Sequence, residues 1–243
     1  MLREMETTYG RSPGGYIWAI IQPVGMIILL SLAFSLLVRA PSLGTSFVFF
    51  YATGFLPFDM YGNISSKVMS ALKYSRPLLA YPSVTWVDAF LARFLLNMIT
   101  SVALFCIVIS GILVLIETRT VIDIVPIVIA IAMVASIGLA IGLMNSLLTG
   151  LYPVWGLIWG ILSRPLFLAS GVLFLYEDMP SNVQSILWWN PLMHATGLLR
   201  SGYYPTYHAS YVSLSYGFGF ALIVMTISLI FLKANYKVVL EQR

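Results

Sequence analysis

Long apolar stretches alternate with short polar segments along this chain. Six of the stretches predict transmembrane helices, since about 20 mostly apolar residues cross the hydrocarbon core of a bilayer. They cover residues 16–38, 45–62, 86–116, 121–148, 154–176 and 214–233. The sequence lacks the short segments of alternating hydrophobicity that membrane β-strands show. The pattern therefore predicts an all-α polytopic membrane protein, with residues 1–243 forming one transmembrane domain.

Two of the connections between these spans are long enough to form structure of their own. Residues 63–85 have a partly amphipathic helical pattern that Pro77 and Pro82 interrupt, which predicts a segment on the membrane surface or against a partner protein. Residues 177–213 are rich in Trp, Tyr and Pro. Aromatic rings favour the membrane interface, and irregular backbone at membrane depth must be buried. A pair of short re-entrant helices, broken near Asn190–Pro191, would satisfy both conditions.

Turn-forming residues gather immediately before the first span, in YGRSPGGYIWAIIQP at residues 9–23. Gly14 and Gly15 permit unusual backbone dihedral angles, and Pro13 fixes φ. We expect a sharp bend here between an interfacial segment, residues 1–14, and the first span. Arg11 would then face the anionic inner leaflet of the membrane.

The composition excludes a soluble domain. Hydrophobic residues make up 60% of the chain and charged residues only 9%, whereas globular proteins average about 25% charged residues. The mean hydropathy is +0.93. The single cysteine, Cys106, excludes an intrachain disulfide and a CxxC metal site, and its apolar surroundings indicate ordinary packing.

The distribution of Lys and Arg predicts the orientation in the membrane. With a cytoplasmic N-terminus, eight basic residues fall on the inner side, namely Arg3, Arg11, Lys67, Lys73, Arg76, Lys233, Lys237 and Arg243. Only Arg39, Arg119 and Arg200 then fall on the outer side. Because basic residues accumulate on the cytoplasmic side, both termini are predicted to be cytoplasmic.

The sequence contains none of the common motifs for nucleotide binding or hydrolysis. No GxxxxGK[ST] is present, so the chain has no P-loop to cradle ATP phosphates. His194 and His208 are the only histidines and lack metal-ligand spacing. There is no GxSxG nucleophile elbow either.

Four of the charged residues in the predicted spans are candidates for pairing or for contact with a substrate. Arg164 lies about ten residues, or about 15 Å, into the fifth span and is followed by Pro165. An arginine at that depth usually faces a bundle interior or an aqueous path. It either pairs with a neighbouring helix or contacts an anionic substrate. Asp59, Asp88 and Arg93 lie near the cytoplasmic boundary, where mutual pairing is expected, with Asp59–Arg93 as the first pair to test.

Four aromatic residues cluster near the cytoplasmic ends of the first and fifth spans: Tyr16, Trp18, Trp155 and Trp159. Interfacial Trp and Tyr commonly anchor helices. Sugar rings also stack on aromatic faces, so the same residues would suit a cavity for a saccharide.

Three segments resemble the ABC-2-type permeases that export polysaccharides. Residues 9–23 resemble the amino-terminal signature, residues 78–93 (LLAYPSVTWVDAFLAR) the stretch after the coupling helix, and residues 164–174 with 179–200 the fifth span and re-entrant region. The matching positions include Tyr9, Ser12, Gly15, Trp18, Pro23, Ser170, Gly171, Pro180, Asn190, Pro191, His194 and Arg200. The sequences GRSPGGY and RPLFLASG are most similar to those of capsule-export permeases of the KpsM type. Thr8 departs from the pattern, since relatives often carry a basic residue there, and fewer residues precede Tyr9 than in most relatives.

The resemblance implies a homodimeric permease in the bacterial inner membrane. It would work with two P-loop ATPase subunits of the KpsT type, a periplasmic co-polymerase or adaptor of the KpsE type, and an outer-membrane exporter. ATP and Mg would bind to the ATPase subunits, with no cofactor on this chain. The implied cargo is a lipid-linked capsular polysaccharide moving from cytoplasm to periplasm. Membrane lipids are also expected partners, and no nucleic acid is expected to bind.

The resemblance also implies roles for particular residues. The substrate path would include Gly15, Tyr16, Trp18, Trp155, Trp159 and Arg164. The surface that contacts the ATPase subunits and couples ATP hydrolysis to transport would expose Ser66, Lys73 and Arg76. The periplasmic re-entrant region, which faces the periplasmic partner, would contain Trp188, Trp189, Asn190, Pro191, His194 and Arg200.

Other functions fit parts of the same pattern. An O-antigen, teichoic-acid or drug permease of the ABC-2 type shares the architecture. A membrane-embedded transferase acting on lipid-linked sugars is a rival of a different class, against which the lack of converging catalytic groups counts. A non-catalytic assembly subunit is a third alternative.

Overall fold

The computed structural model describes residues 15–79, 84–118 and 120–241. Within these residues the chain forms nine helices and no strand. The helices are α1 Gly15–Ser35, α2 Phe47–Met69, α3 Ala71–Ser75, α4 Trp86–Leu115, α5 Ile124–Leu151, α6 Trp155–Ala169, α7 Ser181–Leu187, α8 Pro191–Tyr203 and α9 Leu214–Glu241. The predicted interfacial segment, residues 1–14, lies outside the described residues.

Four helical stretches are long and apolar enough to cross a membrane: Ile17–Ser35, Trp86–Leu115, Ile124–Leu151 and Leu214–Leu240. The predicted second and fifth spans correspond to α2 and α6. Helix α2 has 23 residues but includes Asp59 and Lys67. Helix α6 has 15 residues, which is about 22 Å of helix against a hydrocarbon core of about 30 Å. The all-α membrane fold is confirmed, whereas the count of six spans stays a prediction.

The fifth predicted span ends earlier than the apolar run suggested. Helix α6 stops at Ala169, and Gly171 has a φ of 71°, in the left-handed region that glycine adopts most readily. The Ser170 hydroxyl donates to the Leu166 carbonyl at 2.6 Å. Residues 170–180 are therefore irregular although they remain largely apolar.

Helix α2 extends further than the sequence suggested. Residues 63–69, predicted to lie along the membrane surface, continue α2 as far as Met69. This stretch contains no Gly or Pro, so nothing in it interrupts the backbone hydrogen bonds. A separate segment begins only at Ser70 and comprises the five-residue α3 and the turn after it. We call residues 70–79 the coupling segment.

Helix α5 lies at the centre of the bundle, between α2 and α9. Gly138 and Gly142 bring α5 close to α2, because a Cβ on Gly142 would lie 2.6 Å from the Val68 Cβ and 2.9 Å from the Ser65 carbonyl oxygen. This GxxxG spacing places both glycines on one helix face, as is common where membrane helices pack closely. The contact fixes α2 as one wall of the bundle.

Candidate functional site

A cavity of about 740 Å³ lies between α1, α2 and α6, and we call it the α1–α6 groove. Its lining is largely apolar. The polar residues of the lining are Gln22, Tyr61, Ser65, Ser66, Ser163 and Arg164. The groove therefore offers one cation and several uncharged hydrogen-bonding groups within apolar walls.

Arg164 lies on the wall of this groove, as the tenth residue of α6. The side chain is exposed in the single chain. Among the described residues, its guanidinium forms no hydrogen bond or ion pair. The pairing with a neighbouring helix that the sequence left open is thus not formed within the described part of one chain. The cation remains available to a ligand in the groove or to a second copy.

Trp155 and Trp159 form an ordered aromatic pair at the start of α6. Their ring centroids are 6.4 Å apart with an interplanar angle of 25°, and Trp159 lines the groove. The Trp155 Nε1 donates to the Asn145 Oδ1 at 2.9 Å. Asn145 is fully buried in α5, so the bundle core determines the orientation of the pair.

Asn145 and Gln22 were not identified from the sequence. A signal existed for both, because a polar side chain within an apolar span usually faces the protein interior or a cavity. Gln22 contributes the polar group of α1 to the groove. Trp18, predicted for the same path, is 60% exposed and does not line the groove. Gly15 begins α1, and the side chain of Tyr16 lies outside the described residues.

The three residues predicted to face an ATPase are exposed, but they line two different cavities. Ser66 lies on the α1–α6 groove. Lys73 and Arg76 lie in the coupling segment, beside a second cavity at the ends of α5 and α9. Ser66 is thus separated from the other two, and the role of all three stays a prediction.

The predicted Asp59–Arg93 ion pair is not formed, and this expectation was wrong. The Asp59 Oδ2 accepts from the Asn63 Nδ2 at 2.9 Å, one turn along the same helix. Asp88 instead caps the start of α4 together with Thr85. Helices α2 and α4 do pack together, but Arg93 reaches the end of α2, about 12 Å along the helix from Asp59.

Arg93 fastens α4 to the end of α2 and to the coupling segment. Its Nη1 donates to the Lys67 carbonyl at 3.3 Å and to the Ser70 Oγ at 3.0 Å. Its guanidinium lies 3.8 Å from the centroid of the Tyr74 ring. A cation is favoured at a helix C-terminus, so Arg93 is well placed to hold the coupling segment against the bundle.

Helices α7 and α8 form the pair that was predicted, with the break before Pro191. The Asn190 Oδ1 accepts from the Leu192 N–H at 3.0 Å, and the Asn190 Nδ2 donates to the Ala169 carbonyl at 2.9 Å. Asn190 therefore caps α8 and ties it to the end of α6. Whether the pair re-enters the membrane stays a prediction.

His194 links α8 to the segments on either side of it. The side chain is fully buried. Its Nδ1 accepts from the Ser213 N–H at 3.1 Å, and its Nε2 lies 2.8 Å from the Trp188 carbonyl oxygen. Because Nδ1 is an acceptor, the proton resides on Nε2 and the ring is neutral. Burial lowers the pKa of His194.

Arg200 is buried in the bundle, with 2% of its surface exposed, and its predicted position on the outer side of the membrane stays a prediction. Its Nη1 and Nη2 donate to the Phe174 and Val172 carbonyls at 3.2 Å and 3.3 Å. Gly54 makes room for this contact, since a Cβ there would lie 2.7 Å from the Arg200 Nη2 and from the Val172 carbonyl oxygen. Arg200 thus organises the irregular segment after α6 and has a structural role.

The two tryptophans before α8 differ in exposure. Trp188 is half-buried, and its Nε1 donates to the Tyr211 carbonyl at 3.3 Å. Trp189 is 68% exposed, and the neighbouring Ile186 is 73% exposed. The α7–α8 pair therefore presents an apolar patch away from the bundle, of the kind that partner proteins or lipids cover.

A bundle of apolar helices with a partly polar groove along one side is compatible with a membrane transport subunit. A family model described as ABC-2 type transporter matches residues 1–204. The chain belongs to this family and is a permease subunit.

Three relatives of this chain are proteins of polysaccharide transport. The chain is 27% identical over 228 residues to the polysialic acid transport protein KpsM of Escherichia coli, covering 94% of this chain and 88% of that protein. It is 28% identical to the capsule polysaccharide export inner-membrane protein BexB of Haemophilus influenzae, covering 89% and 82%. It is 27% identical to the capsule polysaccharide export inner-membrane protein CtrC of Neisseria meningitidis, covering 84% and 77%.

Proposed function

We propose that this chain is the permease subunit of an exporter that moves lipid-linked capsular polysaccharide from the cytoplasm to the periplasm. The observation that carries the proposal is the α1–α6 groove, where the Arg164 guanidinium faces a cavity that is otherwise mostly apolar. The names of three relatives supply the cargo class. A cation and a Trp ring together suit an acidic saccharide, because one pairs with carboxylate or phosphate and the other stacks on sugar rings.

A homodimer follows from the exposure of α6. No residue of this helix is fully buried in the single chain, and both Arg164 and Leu157 are exposed. A charged side chain facing lipid is costly, so a second copy is needed to cover this face. The transport path then runs between two copies of α1 and α6. In this arrangement α2 and α6 complete six spans per copy, with both termini in the cytoplasm.

The energy for transport comes from separate ATPase subunits, which bind the ATP and Mg. The coupling segment, with Lys73 and Arg76 exposed, is the contact we propose for them. At the opposite end of the bundle, the exposed patch of Trp189 and Ile186 suits a periplasmic co-polymerase or adaptor that leads to an outer-membrane exporter. The chain itself carries out transport and no catalysis.

Replacing Arg164 tests the proposal. Arg164→Leu should reduce surface polysaccharide at least about tenfold in cells that depend on this chain, because a hydrogen bond to a charged group contributes about 1.5–3 kcal/mol. Arg164→Lys should retain part of the export, since it keeps the charge. The membrane level of the variant and its co-purification with ATPase subunits should not change.

Arg39→Leu is the matched control, because it removes the same charge from an exposed connection outside the groove. It should leave export unchanged. Normal export by Arg164→Leu would contradict the role of the groove. Failure of any ATPase to co-purify with the unmodified chain under mild solubilisation would contradict the transporter itself.

A further inference from the structure

A second cavity, of about 430 Å³, lies where the coupling segment meets the ends of α5 and α9. We call it the basic pocket. Lys73 and Arg76 line it from the coupling segment, Ser146 and Thr149 from α5, and Val239 and Leu240 from α9. Three parts of the chain that are distant in sequence therefore meet around one space.

The polar groups around the basic pocket are mostly hydrogen-bond donors without partners. Across the described residues, neither Lys73 nor Arg76 forms an ion pair, and no acidic side chain lines the cavity. The Thr149 Oγ1 is buried without a hydrogen-bond partner. The Ser146 hydroxyl also lacks a partner within the described part of the chain. Because a buried hydroxyl normally has a hydrogen-bond partner, the buried Thr149 Oγ1 beside the two exposed cations points to an anionic ligand.

The remaining walls of the basic pocket are apolar and come from Leu72, Val239 and Leu240. The pocket lies at one end of the apolar helices α5 and α9, the level at which lipid head groups would lie if both helices cross the bilayer. A small inorganic anion would satisfy the cations and leave the apolar walls uncovered. A lipid would place its phosphate beside the cations and its glycerol backbone and upper acyl chains along these walls. Basic pockets between helices at the cytoplasmic surface suit such head groups.

We propose that the basic pocket binds the phosphate group of an anionic glycerophospholipid of the inner leaflet. The inference rests on the proposed function only in placing this end of the bundle on the cytoplasmic side. A bound lipid bridges the coupling segment to α5 and α9, in addition to the contact that Arg93 makes with Lys67 and Ser70. The lipid therefore holds in place the segment that is proposed to receive the ATPase stroke.

The test is a binding measurement on the full chain in nanodiscs of phosphatidylcholine. Short-chain phosphatidylglycerol, short-chain phosphatidylcholine and inorganic phosphate are added separately, and the unfolding temperature is followed. Phosphatidylglycerol should stabilise the chain most. Lys73→Gln and Arg76→Gln should each raise the half-saturating concentration of phosphatidylglycerol about fivefold. The reason is that a basic residue near the anionic surface contributes about 1 kcal/mol.

Thr149→Val tests the unpartnered hydroxyl and should also weaken binding of phosphatidylglycerol. Lys233→Gln is the matched control, because Lys233 is an exposed cation at the same end of α9 that does not line the pocket. An equal loss in Lys233→Gln would indicate general attraction to the surface and overturn the site. Equal stabilisation by inorganic phosphate would overturn the lipid assignment in favour of a free anion.

A photoactivatable phosphatidylglycerol provides a second measurement that does not depend on the stability of the variants. Cross-linking in the unmodified chain should map to the peptides containing Lys73 and Val239, and labelling elsewhere would contradict the site. Both measurements are independent of transport. A chain that binds the lipid but exports no polysaccharide would contradict the proposed function alone, and the converse result would contradict the lipid site alone.

Discussion

Asn145 is the single asparagine of the apolar helix α5, and its side chain is fully buried. Its Oδ1 accepts a hydrogen bond from Trp155, whereas its Nδ2 has no partner among the described residues. Its clearest effect is therefore on the orientation of the Trp155–Trp159 pair beside the α1–α6 groove. Arg164 supplies the charge of that groove, and Asn145 determines how the aromatic wall next to it is presented.

Replacing Asn145 should separate this orienting role from folding. Asn145→Leu removes the acceptor for the Trp155 Nε1 and also removes the unpartnered Nδ2, so we expect a change in stability of no more than about 1 kcal/mol. Export should fall several-fold, and tryptophan fluorescence should show greater accessibility to a soluble quencher. Asn235→Leu is the matched control, since the Asn235 Nδ2 bonds only to its own helix at the Phe231 carbonyl. Equal quenching in the two variants would contradict the role of Asn145.

Sequence reasoning selected Arg164 by its depth in the fifth span and Trp159 as an aromatic residue near the end of that span. Both line the α1–α6 groove, and their role in a substrate path stays a prediction. Sequence reasoning did not predict the partners of Arg93 or Arg200. Both guanidinium groups donate to backbone carbonyls, that of Arg93 to Lys67 and that of Arg200 to Val172 and Phe174, and any residue type can offer such an acceptor. Such contacts cannot be predicted from residue types and are identified only from the packing of the helices.

At the scale of elements, the apolar runs predicted the existence of the long helices but not all of their ends. Helix α2 continues to Met69 because no breaker interrupts it, and α6 ends near Gly171 because of backbone conformation within an apolar run. Pro23 and Pro57 lie inside α1 and α2. Membrane helices tolerate such prolines because neighbouring helices and side chains satisfy the backbone groups that a proline leaves unpaired. The α7–α8 break was predictable because Asn before Pro is a strong helix-start signal.

The packing of the α7–α8 pair should depend on pH through His194. Burial lowers the pKa of this ring, so the unfolded chain binds a proton more readily than the folded chain below about pH 6.5. The stability that neutral His194 provides is therefore complete above about pH 6.5 and is lost as the pH falls towards its lowered folded pKa. The unfolding temperature should decrease between pH 7 and 5.

His194→Gln should flatten this pH dependence, because glutamine does not titrate in the range. His208→Gln is the matched control, since His208 is exposed, and this variant should keep the slope of the unmodified chain. If the slope were unchanged in His194→Gln and reduced in His208→Gln, the buried histidine would not be the group responsible.

At the scale of the whole molecule, the face formed by α1 and α6 combines exposed apolar side chains with an exposed cation. Helix α5 is enclosed by α2, α8 and α9, with Gly142 and Gly217 in close contact with neighbouring side chains. Helices α1 and α6 instead expose large apolar side chains, including Leu29, Leu32 and Ile161. Lipid acyl chains can cover apolar residues, but they offer no acceptor to the Arg164 guanidinium on the same face. This combination is the physical reason to expect a second copy there.

The α6 face contains a position suited to testing that expectation. A Cβ on Gly160 would meet nothing within 4 Å, so Gly160→Cys can be introduced without disturbing the single chain. The exposed Cys106 is first replaced by serine to remove the competing thiol. A short bis-maleimide added to membranes should then join two copies through position 160.

Gly111→Cys in α4 is the matched control, because a Cβ on Gly111 would also meet nothing within 4 Å and α4 contributes no residue to the groove. Cross-linked dimers at position 160 and monomers at position 111 would support a transport path between paired α6 helices. Dimers formed only through position 111 would move the interface to α4 and leave Arg164 facing lipid. In that case the cost of the exposed charge would argue that Arg164 pairs with another subunit, and the α1–α6 groove would be a docking surface for that subunit, with no part in the path of a polysaccharide.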